Sequence, residues 1–227
     1  NADEIACFIF EPLIQGAGGM VMYEPDVLNE LIKLAKDNHI ITIADEIMTG
    51  FGRTGKLFAT DYIEQKPDIF CLSKGLTGGA MALGVTSCTQ AIYDAFLSED
   101  RRKTLFHSHS FTANPLACTA GLASLDLLLT QETYDKISKI NELHTEFKQR
   151  NAHYPHITVK GTILSIEIQT EEGTSYFNNI RDIAYKFFIE KGILIRPLGN
   201  IIYLLPPYCI SEEDLRYIYQ CIEEFIY

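Results

Sequence analysis

Short apolar runs alternate with amphipathic segments along the first half of the chain, a pattern typical of α/β proteins. The runs that predict strands are residues 5–10, 40–44, 67–72 and 83–88. The first three runs are rich in apolar residues, so we expect their strands to be buried, those at 40–44 and 67–72 on both faces, as in a mostly parallel sheet. Between the first two runs, Pro25 opens a predicted helix that extends to Asn38. The order of strand, loop, helix and strand predicts the crossover units of an α/β domain.

Three predicted helices follow the fourth strand, and the pattern changes after the last of them. A short helix is predicted at 90–97, a long apolar helix at 115–129 and a polar helix at 132–150. Shorter strands are then predicted at 157–160, 163–169, 193–196 and 201–205, with amphipathic helices at 175–191 and 211–227. We therefore predict two parts: residues 1–135 belong to a large α/β domain, and residues 136–227 form a small C-terminal α+β domain.

Composition excludes several classes of function. The formal net charge is −11 and the sequence has no basic tract, which argues against nucleic acid binding. No apolar run is long enough to span a membrane and no signal peptide is visible, so we expect a cytoplasmic protein. The six cysteines never form a C-x-x-C pair, so no zinc or thioredoxin motif is indicated, and we expect most of them to be buried reduced thiols.

Two residues after apolar runs suggest a pyridoxal phosphate (PLP) enzyme: Asp45 in I-T-I-A-D-E and Lys74 in C-L-S-K-G. If the two strands are parallel neighbours, both side chains reach the same sheet edge, where open α/β sheets bind ligands. A lysine amine can form an imine with an aldehyde cofactor and can move protons between carbons. A carboxylate beside a pyridine nitrogen favours the protonated ring. Either residue alone is more often a cap or a solvated loop residue, so the hypothesis depends on the pair.

Two other motifs are weaker. Residues 50–55 match G-x-G-x-x-G, which would indicate dinucleotide binding in an oxidoreductase, but no tight strand-to-helix turn follows and no acidic residue stands where a ribose contact would need one. His107 and His109 could form half of a metal site if they lie on one strand face. Because no Cys, Asp or Glu partner is near in sequence, we favour hydrogen-bonding roles and predict no metal.

Five segments together resemble the class III aminotransferases, which are fold type I PLP enzymes. They are E-P-L-I-Q-G-A-G-G-M (11–20), A-D-E-I-M-T-G-F-G-R-T-G-K-L-F-A (44–59), P-D-I-F-C-L-S-K-G-L-T-G-G (67–79), F-T-A-N-P-L-A-C (111–118) and R-P-L-G-N-I-I-Y-L-L-P-P-Y (196–208). The resemblance spans nearly the whole chain but covers only the C-terminal half of such an enzyme. The first residues lead directly into a strand with no initiator methionine, and we expect a longer chain around this one.

The resemblance implies roles for particular residues at a cofactor site. Lys74 would be the lysine that binds PLP, and Asp45 the partner of its pyridine nitrogen. Ile47 would lie against the cofactor ring, although an ordinary core position is as plausible. Ser110, with His109, would reach the cofactor phosphate of the other subunit of a homodimer.

The resemblance also implies substrate contacts. Arg196 would bind a substrate carboxylate, because a planar guanidinium is suited to that task. Arg53 and Ser108 are further candidates for the substrate site. Ser108 and His109 stand where many family members have Gly-Pro, so their contacts are less secure.

Within the family, the first, second and last segments are most similar to the branch that serves biotin biosynthesis. That branch implies S-adenosylmethionine as the amino donor and 8-amino-7-oxononanoate as the acceptor. Ornithine, acetylornithine or 4-aminobutyrate are the alternative substrates. A catalytically incomplete piece of such an enzyme is a further alternative.

Overall fold

The chain forms two compact units in a computed structural model that describes residues 2–170, 173–175 and 177–227. The first unit comprises residues 2–13, 23–51 and 58–130, and the second comprises 14–22, 52–57 and 131–227. The longest part of the second unit begins at Gln131, the first residue of the helix Gln131–Arg150, three residues after the helix Pro115–Leu128 ends. The domain boundary predicted from composition, at 135/136, remains a prediction.

The first unit is built on a four-stranded sheet. Its strands are β1 (Cys7–Phe10), β4 (Ile41–Asp45), β5 (Ile69–Leu72) and β6 (Val85–Cys88), in the spatial order β1-β4-β5-β6. Strands β1, β4 and β5 run parallel, and β6 runs antiparallel to β5. The helices of this unit are α1 (Pro25–Asp37), α2 (Gln90–Asp94) and α3 (Pro115–Leu128). The expected strands and the crossover through α1 are thus confirmed.

Helix α1 begins where the sequence indicates, because Pro25 occupies its first turn. Its buried face consists of Leu28, Ile32 and Ala35, spaced at three and four residues. The start of β5 is joined to β4 by Asp68, whose Oδ2 accepts hydrogen bonds from Thr42 N at 2.8 Å and Thr42 Oγ1 at 2.7 Å. These bonds fix the register that places the two strand ends together.

The second unit contains the α+β arrangement that the sequence pattern favours. A three-stranded antiparallel sheet in the order β7-β8-β9 consists of Ile157–Lys160, Ile163–Glu167 and Ile201–Leu204. Helices α4 (Gln131–Arg150), α5 (Ile180–Glu190) and α6 (Glu212–Ile226) contribute to its core, and β2 (Ile14–Gln15) pairs with β3 (Val21–Met22). Ser211 caps α6, since its Oγ accepts a hydrogen bond from Asp214 N at 3.0 Å.

Two predicted elements of the second unit differ in the structure. Residues 193–196, all within the described part of the chain, form no strand, although alternate side chains there are buried and exposed. The reason is that an extended segment needs a neighbouring strand for its backbone groups, and only Leu198 makes a bridge, to Ile201. The helix predicted from 175 begins at Ile180, and Tyr176 lies outside the described residues.

Burial is the larger correction. Ile9 of β1 is 61% exposed and Ile41 of β4 is 40% exposed, so the expectation that these strands are buried is wrong at those positions. Of the six cysteines, all of them described, only Cys221 is buried and Cys71 is half-buried, and none forms a disulfide. A continuous apolar run predicts that a strand forms. How far its side chains are buried depends on what packs against each face of the sheet. No helix among the described residues is long and apolar enough to cross a bilayer.

Candidate active site at the carboxyl edge of the parallel strands

Asp45 and Lys74 lie at the same edge of the sheet in the first unit. Asp45 is the last residue of β4 and stands opposite Cys71 of β5 in the parallel register. Strand β5 ends at Leu72, and Lys74 opens the 3-10 turn that follows. Because adjacent strands are about 4.8 Å apart, the register places the two residues on neighbouring strand ends. The prediction that these strands are parallel neighbours is confirmed.

The Asp45 carboxylate is held by the backbone that follows it. Ile47 N donates to Asp45 Oδ1 at 3.0 Å, and Glu46 N continues the strand pairing by donating to Cys71 O at 3.0 Å. Asp45 is half-buried, and its Oδ2 receives no hydrogen bond from any residue that the structure describes. One carboxylate oxygen is therefore positioned by the chain and the other is open to a cationic group.

Lys74 has an unusual backbone conformation. Its φ of 45° lies in the left-handed region, which non-glycine residues adopt at a cost of about 1–3 kcal/mol. The side chain is exposed, and the amine has no hydrogen-bond or ion-pair partner among the described residues. Such strain clusters at functional sites, where the surrounding structure enforces it.

The turn around Lys74 is supported from both sides. Ser73 Oγ donates to Leu83 O at 2.7 Å, and Ser124 Oγ of α3 donates to Gly75 O at 3.3 Å. A Cβ added at Gly75 would lie 2.9 Å from Phe51 Cβ, so only glycine allows this turn to pack against Phe51. These contacts hold the lysine in its strained conformation.

Glu46 has a structural role that the sequence pattern did not predict. Its carboxylate is fully buried and accepts four hydrogen bonds: from Thr49 Oγ1 (2.6 Å), Ala59 N (3.1 Å), Thr60 N (2.7 Å) and Thr60 Oγ1 (2.8 Å). A buried carboxylate is stable only when it is paired or well hydrogen-bonded, as here. Glu46 thereby ties the end of β4 to residues 59–60. Its position directly after Asp45 was the available signal.

Ser108, His109 and Ser110 lie in an exposed loop of the first unit. His109 N donates to Thr112 Oγ1 at 3.0 Å, and Phe111 N donates to His109 Nδ1 at 3.1 Å. Within the described chain neither His109 nor Ser110 is hydrogen-bonded to Asp45 or Lys74. The expected phosphate contacts of this loop remain predictions.

Arg53 belongs to the second unit, where the glycine-rich segment 52–57 packs against protein. Its Nη1 donates to Pro206 O at 2.6 Å, and its Cζ lies 4.8 Å from the ring centroid of Tyr208. Arg53 O accepts hydrogen bonds from Thr162 N at 2.9 Å and Thr162 Oγ1 at 3.2 Å. The side chain is half-buried and well positioned, with donors left over. The Tyr208 contact was not predicted.

Arg196 lines an open cleft of about 480 Å³ in the second unit. The side chain is exposed and makes no ion pair with any described residue. Arg181, which was not predicted, lines the same cleft together with the apolar residues Leu194 and Pro197. A guanidinium without an internal partner beside apolar groups is suited to a carboxylate on an aliphatic chain.

Two further findings concern other kinds of site. Among residues 2–170, 173–175 and 177–227, no cluster of three or more His, Cys, Asp or Glu side chains is placed to hold a metal ion. The glycine-rich segment is followed by the 3-10 turn Ala59–Tyr62, and in the second unit its backbone is in close contact with Gly161. It therefore lacks the strand-to-helix context of a dinucleotide site.

Comparison with known proteins agrees on one family. The family described as aminotransferase class-III matches residues 1–226. A Synechococcus elongatus protein named adenosylmethionine-8-amino-7-oxononanoate aminotransferase is 42% identical over 99% of this chain and 53% of its own length.

Solved structures give the same result for the fold. The crystal structure of adenosylmethionine-8-amino-7-oxononanoate aminotransferase from Methanocaldococcus jannaschii matches with a TM-score of 0.87 and 35% identity, over 99% of this chain and 54% of that one. A PLP-bound amine transaminase from an uncultivated Pseudomonas species matches with a TM-score of 0.88 and 28% identity, over 100% and 53% of the two chains. The chain thus spans about half the length of the proteins it matches.

Proposed function

This chain belongs to the class III aminotransferases and has the PLP-dependent fold type I, and from that premise we propose that the protein carrying it makes 7,8-diaminononanoate for biotin synthesis. It would do so by transferring the amino group of S-adenosylmethionine to 8-amino-7-oxononanoate. The observation that carries the proposal is the placement of Asp45 and Lys74 on neighbouring parallel strand ends. Relatives bearing the corresponding name, at 42% and 37% identity, support the choice of substrates.

Class III aminotransferases depend on PLP, and the strand edge of the first unit fits that cofactor. The fit lies in the donor set: among the described residues, one carboxylate oxygen of Asp45 has no hydrogen-bond partner, and neither does the exposed amine of Lys74. When bound, PLP supplies an electron sink for breaking the C–H bond beside an amino group.

We propose the following roles within the first unit. The Asp45 carboxylate, oriented by Ile47 N, would face the pyridine nitrogen and favour its protonated form. The Lys74 amine would hold the cofactor and carry a proton between carbons. The Ile47 side chain would lie against the ring. His109 and Ser110 would bind the cofactor phosphate.

In the second unit, Arg196 and Arg53 would bind substrate, with Ser108 of the first unit as a further contact. The cleft beside Arg196 is lined by a second guanidinium, that of Arg181, by one carboxylate, that of Asp182, and by apolar groups of Leu194 and Pro197. The two guanidiniums outnumber the carboxylate, which suits the carboxylate and aliphatic chain of 8-amino-7-oxononanoate. Arg53 keeps N–H groups beyond the one bonded to Pro206 O, and these could bind a second polar group.

The protein would act as a homodimer with shared sites. The loop that carries Ser110 exposes Phe106 (83%) and Phe111 (73%), apolar side chains that a second copy could cover. Mixing a Lys74→Ala chain with a Ser110→Ala chain should then restore part of the activity, because one of the two hybrid sites would be intact. Failure to restore any activity would contradict shared sites.

The decisive experiment compares the full-length wild-type protein with two variants, Lys74→Ala and Lys33→Ala. Lys33 is an exposed lysine of α1 without a partner in the described chain and serves as the control. Borohydride reduction with bound PLP, followed by mass mapping, should label Lys74. Lys74→Ala should lose both label and turnover, and Lys33→Ala should keep both. Turnover retained by Lys74→Ala would refute the proposal.

Substrate assays separate the branches of the family. Amino transfer from S-adenosylmethionine to 8-amino-7-oxononanoate, with no transfer from ornithine, acetylornithine or 4-aminobutyrate, is the expected result. The opposite preference would leave the family intact and overturn the biotin role. The same labelling can be done on the 227-residue chain alone. Label at Lys74 would show that this part of the protein binds PLP, and no label on a folded chain would show that it is catalytically incomplete.

A further inference from the structure

His144 is a fully buried histidine that belongs to none of the sequence motifs described above. It lies on α4 in the second unit, and both ring nitrogens are hydrogen-bonded. Nδ1 is 2.6 Å from Tyr219 Oη, and Nε2 is 3.2 Å from Thr162 O. Because a carbonyl only accepts, Nε2 must carry the proton, and Nδ1 accepts from the Tyr219 hydroxyl.

The protonation states agree with this arrangement. Burial lowers the pKa of His144 to about 4, so the ring is neutral at neutral pH. Burial also raises the pKa of Tyr219, so its hydroxyl keeps the proton that it donates. The chain of donors therefore runs in one direction, from Tyr219 through His144 to Thr162 O.

Thr162 connects His144 to the backbone of Arg53 through hydrogen bonds. Its N–H and its hydroxyl both donate to Arg53 O, at 2.9 and 3.2 Å. The preceding residue, Gly161, is in backbone contact with the same segment: a Cβ there would lie 2.2 Å from Thr54 C. The turn between β7 and β8 thus supports the backbone from which the Arg53 side chain extends.

We propose that His144 is a positioning residue: by fixing the carbonyl of Thr162 it holds the β7–β8 turn and, through it, the backbone of Arg53. A buried hydrophobic residue of similar size would fill the space on α4 equally well. The hydrogen bond to Thr162 O is what such a residue lacks. The consequence for substrate binding rests on the proposed function, in which Arg53 contacts substrate.

The test compares three variants of the full-length protein. His144→Phe removes the bond to Thr162 O, and His144→Gln keeps an amide N–H near the position of Nε2. Phe147→Leu is the control, because Phe147 is buried one helical turn away and stacks on the Tyr219 ring at 4.7 Å without a hydrogen bond to the turn. This substitution disturbs the same core and the ring of Tyr219, but it removes none of the hydrogen bonds that join Tyr219, His144 and Thr162.

Two measurements decide the proposal. Amide exchange at Thr162, corrected for global stability, should speed up about fivefold in His144→Phe, the factor for one net hydrogen bond, and remain near wild type in His144→Gln and Phe147→Leu. The KM for the amino acceptor should rise about fivefold or more in His144→Phe with kcat within about twofold, and His144→Gln should restore it.

The outcomes that refute the role of His144 differ from those that refute the proposed function. Equal exchange at Thr162 in His144→Phe and Phe147→Leu would overturn the positioning role, and so would faster exchange with an unchanged KM in an active enzyme. If the wild type shows no transamination, the proposed function is refuted, and the exchange measurement still decides whether His144 holds the turn.

Discussion

Replacing Glu46 by glutamine tests the buried carboxylate that ties the end of β4 to residues 59–60. The substitution keeps the size and shape of the side chain and changes one oxygen into an NH₂ group. Glu46 Oε1 accepts from Thr60 N and Thr60 Oγ1, and Oε2 accepts from Thr49 Oγ1 and Ala59 N. Each oxygen therefore faces one backbone N–H.

The magnitude follows from these partners. The hydroxyls of Thr49 and Thr60 can rotate and accept from an amide, whereas a backbone N–H can only donate. Whichever way the new side-chain amide turns, one buried N–H faces another donor, at a cost of about 1–3 kcal/mol. Loss of charge on the remaining bonds adds about 1 kcal/mol, and the smaller desolvation cost of a neutral amide offsets part of it. We expect a net destabilisation of about 2 kcal/mol from these terms.

The assay is urea unfolding followed by far-UV circular dichroism, since the chain has no tryptophan. Glu30→Gln is the matched control, because Glu30 is exposed on α1 of the same unit and should change stability by less than about 0.5 kcal/mol. A Glu46→Gln variant as stable as the Glu30→Gln control would refute the reasoning.

Three further predictions concern the second unit. Gly161→Ala should lower the free energy of unfolding by about 3 kcal/mol or more, because the new Cβ would lie 2.2 Å from Thr54 C at a φ of +58°. Gly173→Ala is the control: its φ is +71°, but nothing lies within 4 Å of the new Cβ, so it should cost only about 1 kcal/mol. Equal thermal shifts in the two variants would contradict this. His144 has a pKa of about 4 when folded, against 6.5 ordinarily, so the unfolded chain binds more protons in that window and stability should fall as pH drops through it. Between pH 7 and pH 5 the unfolding free energy of the wild type should therefore fall by about 2 kcal/mol relative to that of His144→Gln, which has no group that titrates at this position, and a constant difference would contradict the shift. Ser211→Ala should cost about 1 kcal/mol in urea unfolding, because Asp214 N loses its cap; an unchanged midpoint would show that the cap contributes nothing.

Elements with a clear local pattern were predictable from the sequence. Pro25 and the spacing of Leu28, Ile32 and Ala35 mark α1, and Ser211 marks the start of α6. Segment 193–196 has the alternation of a strand, but strand formation needs a pairing partner, which no local pattern can supply. The burial of β1 was misjudged for a related reason: Ile9 is apolar, yet its exposure depends on what lies across the sheet face.

The sequence by itself determined the family and the pair Asp45 and Lys74, because strand, loop and motif are read along the chain and parallel neighbours bring their ends together. Only the tertiary structure decided the four bonds of Glu46, the strained φ of Lys74 and the network through His144. His144 and Tyr219 are 75 residues apart, and Arg53 and Thr162 are 109 apart. Contacts at such separations arise from packing of whole elements, so the sequence around any one of these residues carries no sign of its partner.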